Sequence, residues 1–398
     1  MRRIGTLPPV PQTGLDACIS DGFARFKGQA IALVCNQASV ASDYVHALDH
    51  FLLLHKSGEL QIACALGPQH GIWGHTQDNM VEWEGYRDPR TGLLFHSLYG
   101  EHREPTSAML QGVGRLVFDV PDVGARYYTF IWTLANCMKA CAEHGVPVTV
   151  LDRPNPIGGA QVEGPVLKEE YASFVGLHPL PTRHGMTVGE IARYFQGVFY
   201  PKCELDVVNV QGWERAAYLD ETSFVWAPPS PNMPTVDTAV VYPGQCLLEG
   251  TKMSEGRGTT RPFEVFGAPL IEAWEFTDRL NALGLAGVRF RPYVYQPTFQ
   301  KFEGEVCQGA FIHVTDRRTF RPVLTSIAVL QEAARNDRFE WLAPPYEYEA
   351  EKMPFDILAG NAWLRGAIEG QEPLGKIKER MDAEAAEFEP VRRGCLLY

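Results

Sequence analysis

The stretch Arg115-Leu-Val-Phe-Asp-Val-Pro-Asp-Val-Gly-Ala-Arg126 runs from a short apolar segment directly into a loop of acidic, proline and glycine residues. An uninterrupted apolar run of this kind is typical of a strand that is buried on both faces of a parallel sheet. Asp119, Asp122 and Arg126 follow where such a strand ends. The stretch therefore predicts a β-strand whose carboxyl end carries a group of ionisable side chains.

On both sides of this stretch, similar apolar runs alternate with amphipathic segments. Further strands are predicted over Ile31 to Cys35, Gln61 to Leu66, Val146 to Leu151 and Leu205 to Val210. Helices are predicted over Asp43 to His55, Phe130 to Glu143 and Val188 to Gln196, the last with Thr187 and Glu190 spaced as a capping box. Strands that alternate with helices predict an α/β fold with a Rossmann-like parallel sheet.

Chain length and a proline-rich seam predict two domains. At 398 residues the chain exceeds the size at which single cores stop growing, about 250 to 300 residues. Prolines recur between Trp226 and Pro234, which excludes a helix or a central strand there. We expect a Rossmann-like catalytic domain over residues 14–232 and a smaller mixed α+β domain over residues 233–398. In the second domain the sequence predicts helices over Glu272 to Leu283 and Leu324 to Asn336, and a strand over Ala310 to Val314.

Charge and composition argue against some classes of binding partner and against a membrane-spanning protein. The net charge of −12 and the lack of any long run of Lys or Arg argue against nucleic acid. No stretch approaches the roughly 18 uninterrupted apolar residues that a membrane-spanning helix needs. The nine cysteines lie among apolar neighbours, which indicates reduced, buried thiols. Since the first residues contain no apolar leader segment, we expect a cytoplasmic protein.

The loops that follow the apolar runs are the places to search for a site, because ligands of open α/β sheets bind outside the carboxyl ends of the strands. The loop after the second run contains Gln69 and His70, and the loop after the fourth contains Arg153 and Asn155. Each loop alone could be an ordinary turn, because Asp, Asn, Pro and Gly are turn formers. Their combined density of polar groups favours a single site.

Two segments further along the chain are candidates for the same site. One contains His184 just before a predicted helix, and the other, Glu249 to Thr260, is nearly free of apolar side chains and contains Glu255 and Arg257. The guanidinium of Arg257 can bind a carboxylate with two parallel hydrogen bonds. The alternative is a surface hairpin in which Arg257 ties its own loop to a neighbouring carboxylate. Neither a phosphate-binding glycine motif nor a metal-binding motif is present, so we expect no cofactor and no metal.

Aromatic and acidic residues interleave between Gly74 and Pro105, and this segment includes Glu82, Trp83 and Glu84. Sugar-binding sites use this combination, because apolar ring faces stack on aromatic side chains and carboxyl groups act on the glycosidic bond. A solvated acidic loop is the alternative.

Motifs spread along the chain closely resemble the NamZ-type exo-β-N-acetylmuramidases, glycoside hydrolase family 171. They include Gly67-Pro-Gln-His-Gly71, Phe118-Asp-Val-Pro-Asp-Val-Gly-Ala-Arg-Tyr-Tyr-Thr129, Leu151-Asp-Arg-Pro-Asn-Pro-Ile-Gly-Gly159, Arg183-His-Gly-Met-Thr187, Pro229-Ser-Pro-Asn-Met-Pro234 and Ser254-Glu-Gly-Arg-Gly-Thr-Thr260. The resemblance implies a Rossmann-like domain joined to a C-terminal domain, with the active cleft between them. It also implies removal of N-acetylmuramic acid from the non-reducing end of peptidoglycan fragments, so that an amino-sugar glycan is the expected partner.

One position departs from the pattern of the family. The family motif is commonly Gly-Pro-Glu-His-Gly, and the resemblance makes its glutamate the catalytic carboxylate, whereas this chain has Gln69. An amide cannot act as a general acid. Glu82 is therefore the first choice for a substitute carboxylate and Glu84 the second. The alternative is a protein that binds an amino-sugar glycan without hydrolysing it, or one with altered specificity.

The predicted site combines these segments in one inter-domain cleft. The expected catalytic residues are Glu82, His70 and Asp122. The expected substrate-binding residues are Gln69, Arg126, Asn155, His184, Asn232, Glu255 and Arg257. We expect Arg257, with Arg126 and Arg153 as alternatives, to bind the lactyl carboxylate that distinguishes N-acetylmuramic acid from N-acetylglucosamine. Retaining, inverting and substrate-assisted mechanisms are all compatible with the sequence.

Overall fold

A computed structural model describes residues 11–78, 80–346 and 348–398. The strands are β1 (Ala30–Cys35), β2 (Gln61–Gly67), β3 (Tyr86–Arg87), β4 (Leu94–Ser97), β5 (Arg115–Asp119), β6 (Val148–Leu151), β7 (Glu163–Val166), β8 (Pro181–Arg183), β9 (Leu205–Val208), β10 (Val265–Ala268), β11 (Val288–Tyr295) and β12 (Cys307–Val314). The α-helices are α1 (Gly14–Ser20), α2 (Ala47–Ser57), α3 (Phe130–His144), α4 (Val188–Val198), α5 (Val236–Gln245), α6 (Ala273–Ala282), α7 (Pro322–Ala333), α8 (Pro354–Ala359), α9 (Trp363–Glu369) and α10 (Leu374–Cys395).

A seven-stranded sheet in the order β3-β4-β2-β1-β5-β6-β9 forms the centre of the N-terminal half. Only the two-residue strand β3 at its edge runs antiparallel to its neighbour, and the other neighbouring pairs are parallel. The six parallel strands follow the strand order of the Rossmann fold, with the order reversing between β1 and β5. The predicted α/β class is confirmed. Cys35 pairs with Asp119 at this reversal, so the loops after β1 and β5 diverge there and leave a crevice.

Local sequence signals set the ends of the helices. The capping box of α4 is present, because the Thr187 side chain accepts from the Glu190 backbone N–H and the Glu190 carboxylate accepts from the Thr187 backbone N–H. The helix predicted from Asp43 instead begins at Ala47. Asp43 accepts a hydrogen bond from the Val45 backbone N–H, which forms a turn, and His46 supplies the cap of α2.

The C-terminal half contains an antiparallel sheet in the order β10-β12-β11, with α6 and α7 packed beside it. The predicted mixed α+β class is confirmed, although the strand expected from Ala310 begins at Cys307. A single buried cluster includes Phe118 of β5, Phe266 of β10 and Phe355 of α8, so the hydrophobic core is continuous across both halves. A division at residue 232 therefore stays a prediction.

The last helix returns to the N-terminal half. A carboxylate oxygen of Glu384 on α10 accepts a hydrogen bond from the Val166 backbone N–H at 2.9 Å. Arg392 on the same helix donates to the Gly159 and Gly185 carbonyl oxygens. These contacts hold the loop before α4 in place from the far end of the chain.

Eight of the nine cysteines are buried and Cys395 is half-buried; all nine are free thiols, as predicted. Within the described residues, none of the helices is long and apolar enough to cross a membrane. Residues 1–10, on which much of the expectation about a leader rests, lie outside the described part of the chain.

The contact between α5 and the start of α7 gives a test of this packing. A Cβ at Gly244 would lie 1.9 Å from the Pro322 carbonyl oxygen, so Gly244→Ala forces two backbones apart. We expect the free energy of unfolding to fall by about 1–3 kcal/mol or more. The matched control is Gly197→Ala in α4, where no atom lies within 4 Å of the added methyl group. That variant should be stabilised by roughly 0.5–1 kcal/mol. Equal denaturant midpoints for the two variants would contradict the packing.

Candidate active site

A pocket lies where the carboxyl edge of the parallel sheet meets the loops that open the C-terminal half. The space between its walls, counted out to the open solvent, is about 520 Å³. The polar and charged side chains that line it are Gln69, His70, Tyr127, Tyr128, Thr129, Ser230, Asn232, Tyr242, Glu249, Arg257 and Tyr346. Four of the ten predicted site residues are among them, namely Gln69, His70, Asn232 and Arg257.

Gln69 is fixed in the pocket by one hydrogen bond. The side chain is buried, and its Oε1 accepts from the Thr129 hydroxyl at 2.8 Å. The amide is thus oriented with its oxygen toward the Thr129 hydroxyl. The Nε2 group, which can only donate, has no partner among the described residues and is available to a ligand oxygen.

His70 occupies the tight turn after β2, where both His70 and Gly71 adopt the left-handed conformation, with φ of 68° and 77°. Its Nδ1 donates to the Thr76 carbonyl oxygen at 2.8 Å, because a carbonyl can only accept. The neutral ring therefore presents a lone pair at Nε2. Burial, together with the nearby Arg257 guanidinium, lowers the pKa of His70 to about 4. At neutral pH the ring is a hydrogen-bond acceptor at Nε2 and not an acid.

Glu249 is the carboxylate that reaches the pocket, at the start of the polar segment. Its Oε1 accepts from Arg257 Nη2 at 2.7 Å, and its Oε2 accepts from the Tyr346 hydroxyl at 2.9 Å. Burial alone would raise the pKa of Glu249, but the Arg257 and Lys301 charges and the Tyr346 hydrogen bond outweigh it and hold the pKa below its ordinary value. Glu249 is therefore ionised at neutral pH in a largely dry environment.

Arg257 is shared between two buried carboxylates. Its Nε lies 3.3 Å from Glu255 Oε1, and Glu255 Oε2 lies 2.9 Å from Lys301 Nζ. Lys301 also donates to the Leu248 and Met253 carbonyl oxygens, at 3.1 and 3.0 Å. Glu255 thus lies behind the pocket, where it anchors the two cations.

The pocket wall also contains the Tyr128 hydroxyl, with which a ligand can form a hydrogen bond. The Tyr128 hydroxyl is buried beside Ser230 and makes no hydrogen bond of normal geometry with any described residue. Asn232 of the proline-rich seam is held by Gln77, to whose carbonyl oxygen it donates at 2.8 Å. A buried hydroxyl without a partner is uncommon in native structures and is consistent with a binding surface for polar ligands.

Asp122 and His184 were expected in the site, but they form a buried pair behind it. His184 is fully buried, and its Nδ1 accepts from the Met186 backbone N–H at 3.2 Å. Its Nε2 therefore donates to Asp122 Oδ2, at 3.1 Å, and the same oxygen accepts from the Gly124 backbone N–H. Asp122 lines a second, smaller cavity between Pro121 and Pro229 instead of the main pocket. Their contacts hold two loops together.

Arg126 and Asn155 do not reach the pocket either. Arg126 is fully buried and donates to the Leu358 and Ala359 carbonyl oxygens, at the end of α8. Burial lowers the pKa of Arg126 to about 10. Asn155 donates to the Met186 carbonyl oxygen and accepts from the Ile157 backbone N–H. Neither residue is among those that line the pocket, and Arg126 Nε and Nη1 are buried without a hydrogen-bond partner among the described residues, so the expected substrate contacts stay predictions.

Glu82, expected as a catalytic residue, is not among the residues that line the pocket. Its side chain is 50% exposed, accepts from the Tyr348 hydroxyl at 2.8 Å and lies 3.4 Å from Arg103 Nη2. Glu82 and Glu84 line a separate surface depression. The sequence argument missed Glu249, whose one signal was its place at the start of the polar segment. Spacing alone could not favour it over Glu255.

Sequence comparisons connect both halves of the chain to one family. The N-terminal profile of exo-β-N-acetylmuramidase NamZ matches residues 31–237, and the C-terminal profile of the same family matches residues 240–398. The chain is 41% identical over 391 residues to the peptidoglycan β-N-acetylmuramidase NamZ of Bacillus subtilis. This alignment covers 98% of the chain and 92% of that relative.

Two solved structures of DUF1343 family proteins from Bacteroides fragilis share the fold. The first has a TM-score of 0.86 and 31% sequence identity, and the comparison covers 98% of this chain and 99% of that one. The second has a TM-score of 0.74 and 26% identity with the same coverage.

Proposed function

Because this chain belongs to the exo-β-N-acetylmuramidase NamZ family, we propose that it is a glycosidase that releases N-acetylmuramic acid from the non-reducing end of peptidoglycan fragments. The observation that carries the proposal is the 41% identity to a peptidoglycan β-N-acetylmuramidase over 98% of the chain. A pocket that contains an ionised carboxylate, amide donors and aromatic walls supports it. No observation favours the alternative of a binding protein without activity.

Glu249 takes the role of the carboxylate at the reaction centre in this proposal. Glycoside hydrolysis passes through a transition state with positive charge at the anomeric carbon. An ionised carboxylate that is already positioned in a water-poor pocket stabilises that charge more strongly than water does. The ion pair with Arg257 keeps Glu249 in the required charge state.

Gln69 acts in this proposal as a hydrogen-bond donor and not as an acid. Thr129 fixes the orientation of its amide, which leaves Nε2 to bind a sugar hydroxyl or the acetamido carbonyl of the substrate. His70 Nε2 can accept from a sugar hydroxyl, and the Tyr128 hydroxyl can bind a third polar group. The chain thereby keeps the position of the family glutamate as a binding group.

Arg257 is the one lysine or arginine among the described residues that line the pocket. Its charge is already balanced by Glu249 and Glu255, so its contacts match the alternative in which it ties its own loop to a neighbouring carboxylate. We therefore assign Arg257 first to holding Glu249 ionised. Recognition of the lactyl carboxylate by the same guanidinium is a second role that needs its own test.

Glu249→Gln tests the role of the carboxylate. The amide keeps the shape but loses the charge, so we expect kcat on a chromogenic β-N-acetylmuramide to fall by roughly 10²- to 10⁴-fold. Calorimetric binding of N-acetylmuramic acid should change little. The control is Glu275→Gln on α6, whose side chain is 72% exposed and which should match the wild type. Turnover by Glu249→Gln at the wild-type rate would remove Glu249 from the reaction.

Arg257→Lys tests how Glu249 is kept ionised. Lysine retains the charge but loses the planar guanidinium contact, so the pKa of Glu249 should rise. Activity that needs the ionised carboxylate is present above this pKa and is lost as the pH falls through it. The acid limb of the pH profile of kcat should therefore move to higher pH. An unmoved limb would contradict this role.

The same variant tests lactyl recognition. If Arg257 also binds the lactyl carboxylate, kcat/KM falls more on the muramide than on the corresponding N-acetylglucosaminide. Equal losses on both substrates would leave Arg257 with the Glu249 contact alone.

A further inference from the structure

A tight turn from the C-terminal half connects the pocket to the surface depression that contains Glu82. Tyr346 and Glu349 exchange two backbone hydrogen bonds, both of 2.9 Å. Tyr348 within the turn has φ of 69°, a left-handed conformation that is unfavourable for a bulky residue. The turn therefore fixes two tyrosines at a short, defined separation.

The first tyrosine of the turn contributes to the pocket. Tyr346 is 7% exposed, and its hydroxyl donates to Glu249 Oε2 at 2.9 Å. This bond is one of the contacts that hold the pKa of Glu249 below its ordinary value. The position of the turn thus affects the wall of the pocket and the environment of its carboxylate.

The second tyrosine contacts the N-terminal half. The Tyr348 hydroxyl donates to Glu82 Oε1 at 2.8 Å. The Arg103 guanidinium lies 4.1 Å from the centre of the Tyr348 ring and also lies over the rings of Tyr99 and Phe174, at 4.5 and 4.6 Å. Arg103 is therefore held in place by several aromatic side chains.

We propose that Glu82, Arg103 and Tyr348 form a clasp that holds the turn of Tyr346 across the pocket. Glu82 is then a positioning residue, which acts on the substrate through Tyr348 and Tyr346. The clasp joins the two halves of the chain through a turn whose Tyr346 lines the pocket, and we expect it to help retain the bound sugar. The inference rests on the proposed glycosidase function.

Three variants test the clasp, namely Glu82→Gln, Tyr348→Phe and the double variant. Each single change removes or weakens the same partly exposed hydrogen bond, so KM for the chromogenic β-N-acetylmuramide should rise about two- to tenfold, with kcat within about twofold. The double variant should be no worse than the more severe single variant, because both changes affect one interaction. The Kd of N-acetylmuramic acid, measured by calorimetry, should rise in parallel with KM.

Glu101→Gln is the matched control, because its side chain is 89% exposed and lines the same depression without contacting Tyr348. It should keep the wild-type KM. The melting temperatures of all variants should stay close to that of the wild type, since the substituted groups are exposed.

Two results would overturn the clasp. A hundredfold or larger loss of kcat in Glu82→Gln, with Tyr348→Phe unaffected, would make Glu82 an acid or base of the reaction. Wild-type KM and Kd in all three variants would show that the turn does not act on the substrate. The clasp and the proposed function fail in different ways. If the proposed function is wrong, the wild-type protein leaves the muramide intact. The clasp is tested separately by the Kd of N-acetylmuramic acid, a measurement that needs no turnover.

Discussion

The ion pair between Glu249 and Arg257 is the interaction on which the site depends. Burying two charges is costly unless they pair closely and their remaining polar atoms find partners. Here both oxygens of Glu249 accept hydrogen bonds, and Glu255 and Lys301 complete the charge balance. Arg257 also lies 5.0 Å from the centre of the Phe263 ring. Lys301 and Tyr346 come from parts of the chain outside the segment Glu249 to Thr260, so satisfying the pair ties those parts to this segment and keeps a carboxylate ionised in the pocket.

The parallel sheet was predictable because its central strands are apolar on both faces, as in Arg115–Asp119. In the N-terminal half, the strands that escaped prediction lack this signal. β3 has two residues and β4 alternates between exposed and buried positions. β7 and β8 contain Pro165 and Pro181, residues that argue against a strand. α10 is a long charged helix with Pro390 in its interior, so its position is determined by contacts with the N-terminal half.

The site was predictable to the level of loops and much less to the level of side chains. The switch-point rule selected the loop of Gln69 and His70, which lines the pocket, whereas Arg257 was selected as a guanidinium in a polar, glycine-rich segment. It could not tell which polar groups face the pocket, because the hydrogen bonds that orient Asp122, His184, Arg126 and Asn155 join distant parts of the chain and leave no trace in the local sequence. Glu82 illustrates the remaining difficulty. Its sequence neighbours resemble a sugar site, but its contact with Tyr348, 266 residues along the chain, is invisible in local sequence.

The most direct measurement of the central claim is a crystal structure of the Glu249→Gln variant with N-acetylmuramic acid. The account predicts that the sugar lies in the pocket, with its anomeric carbon beside residue 249 and its polar groups on Gln69 and His70. A sugar bound in the surface depression of Glu82 and Glu84, with the pocket left empty, would contradict it.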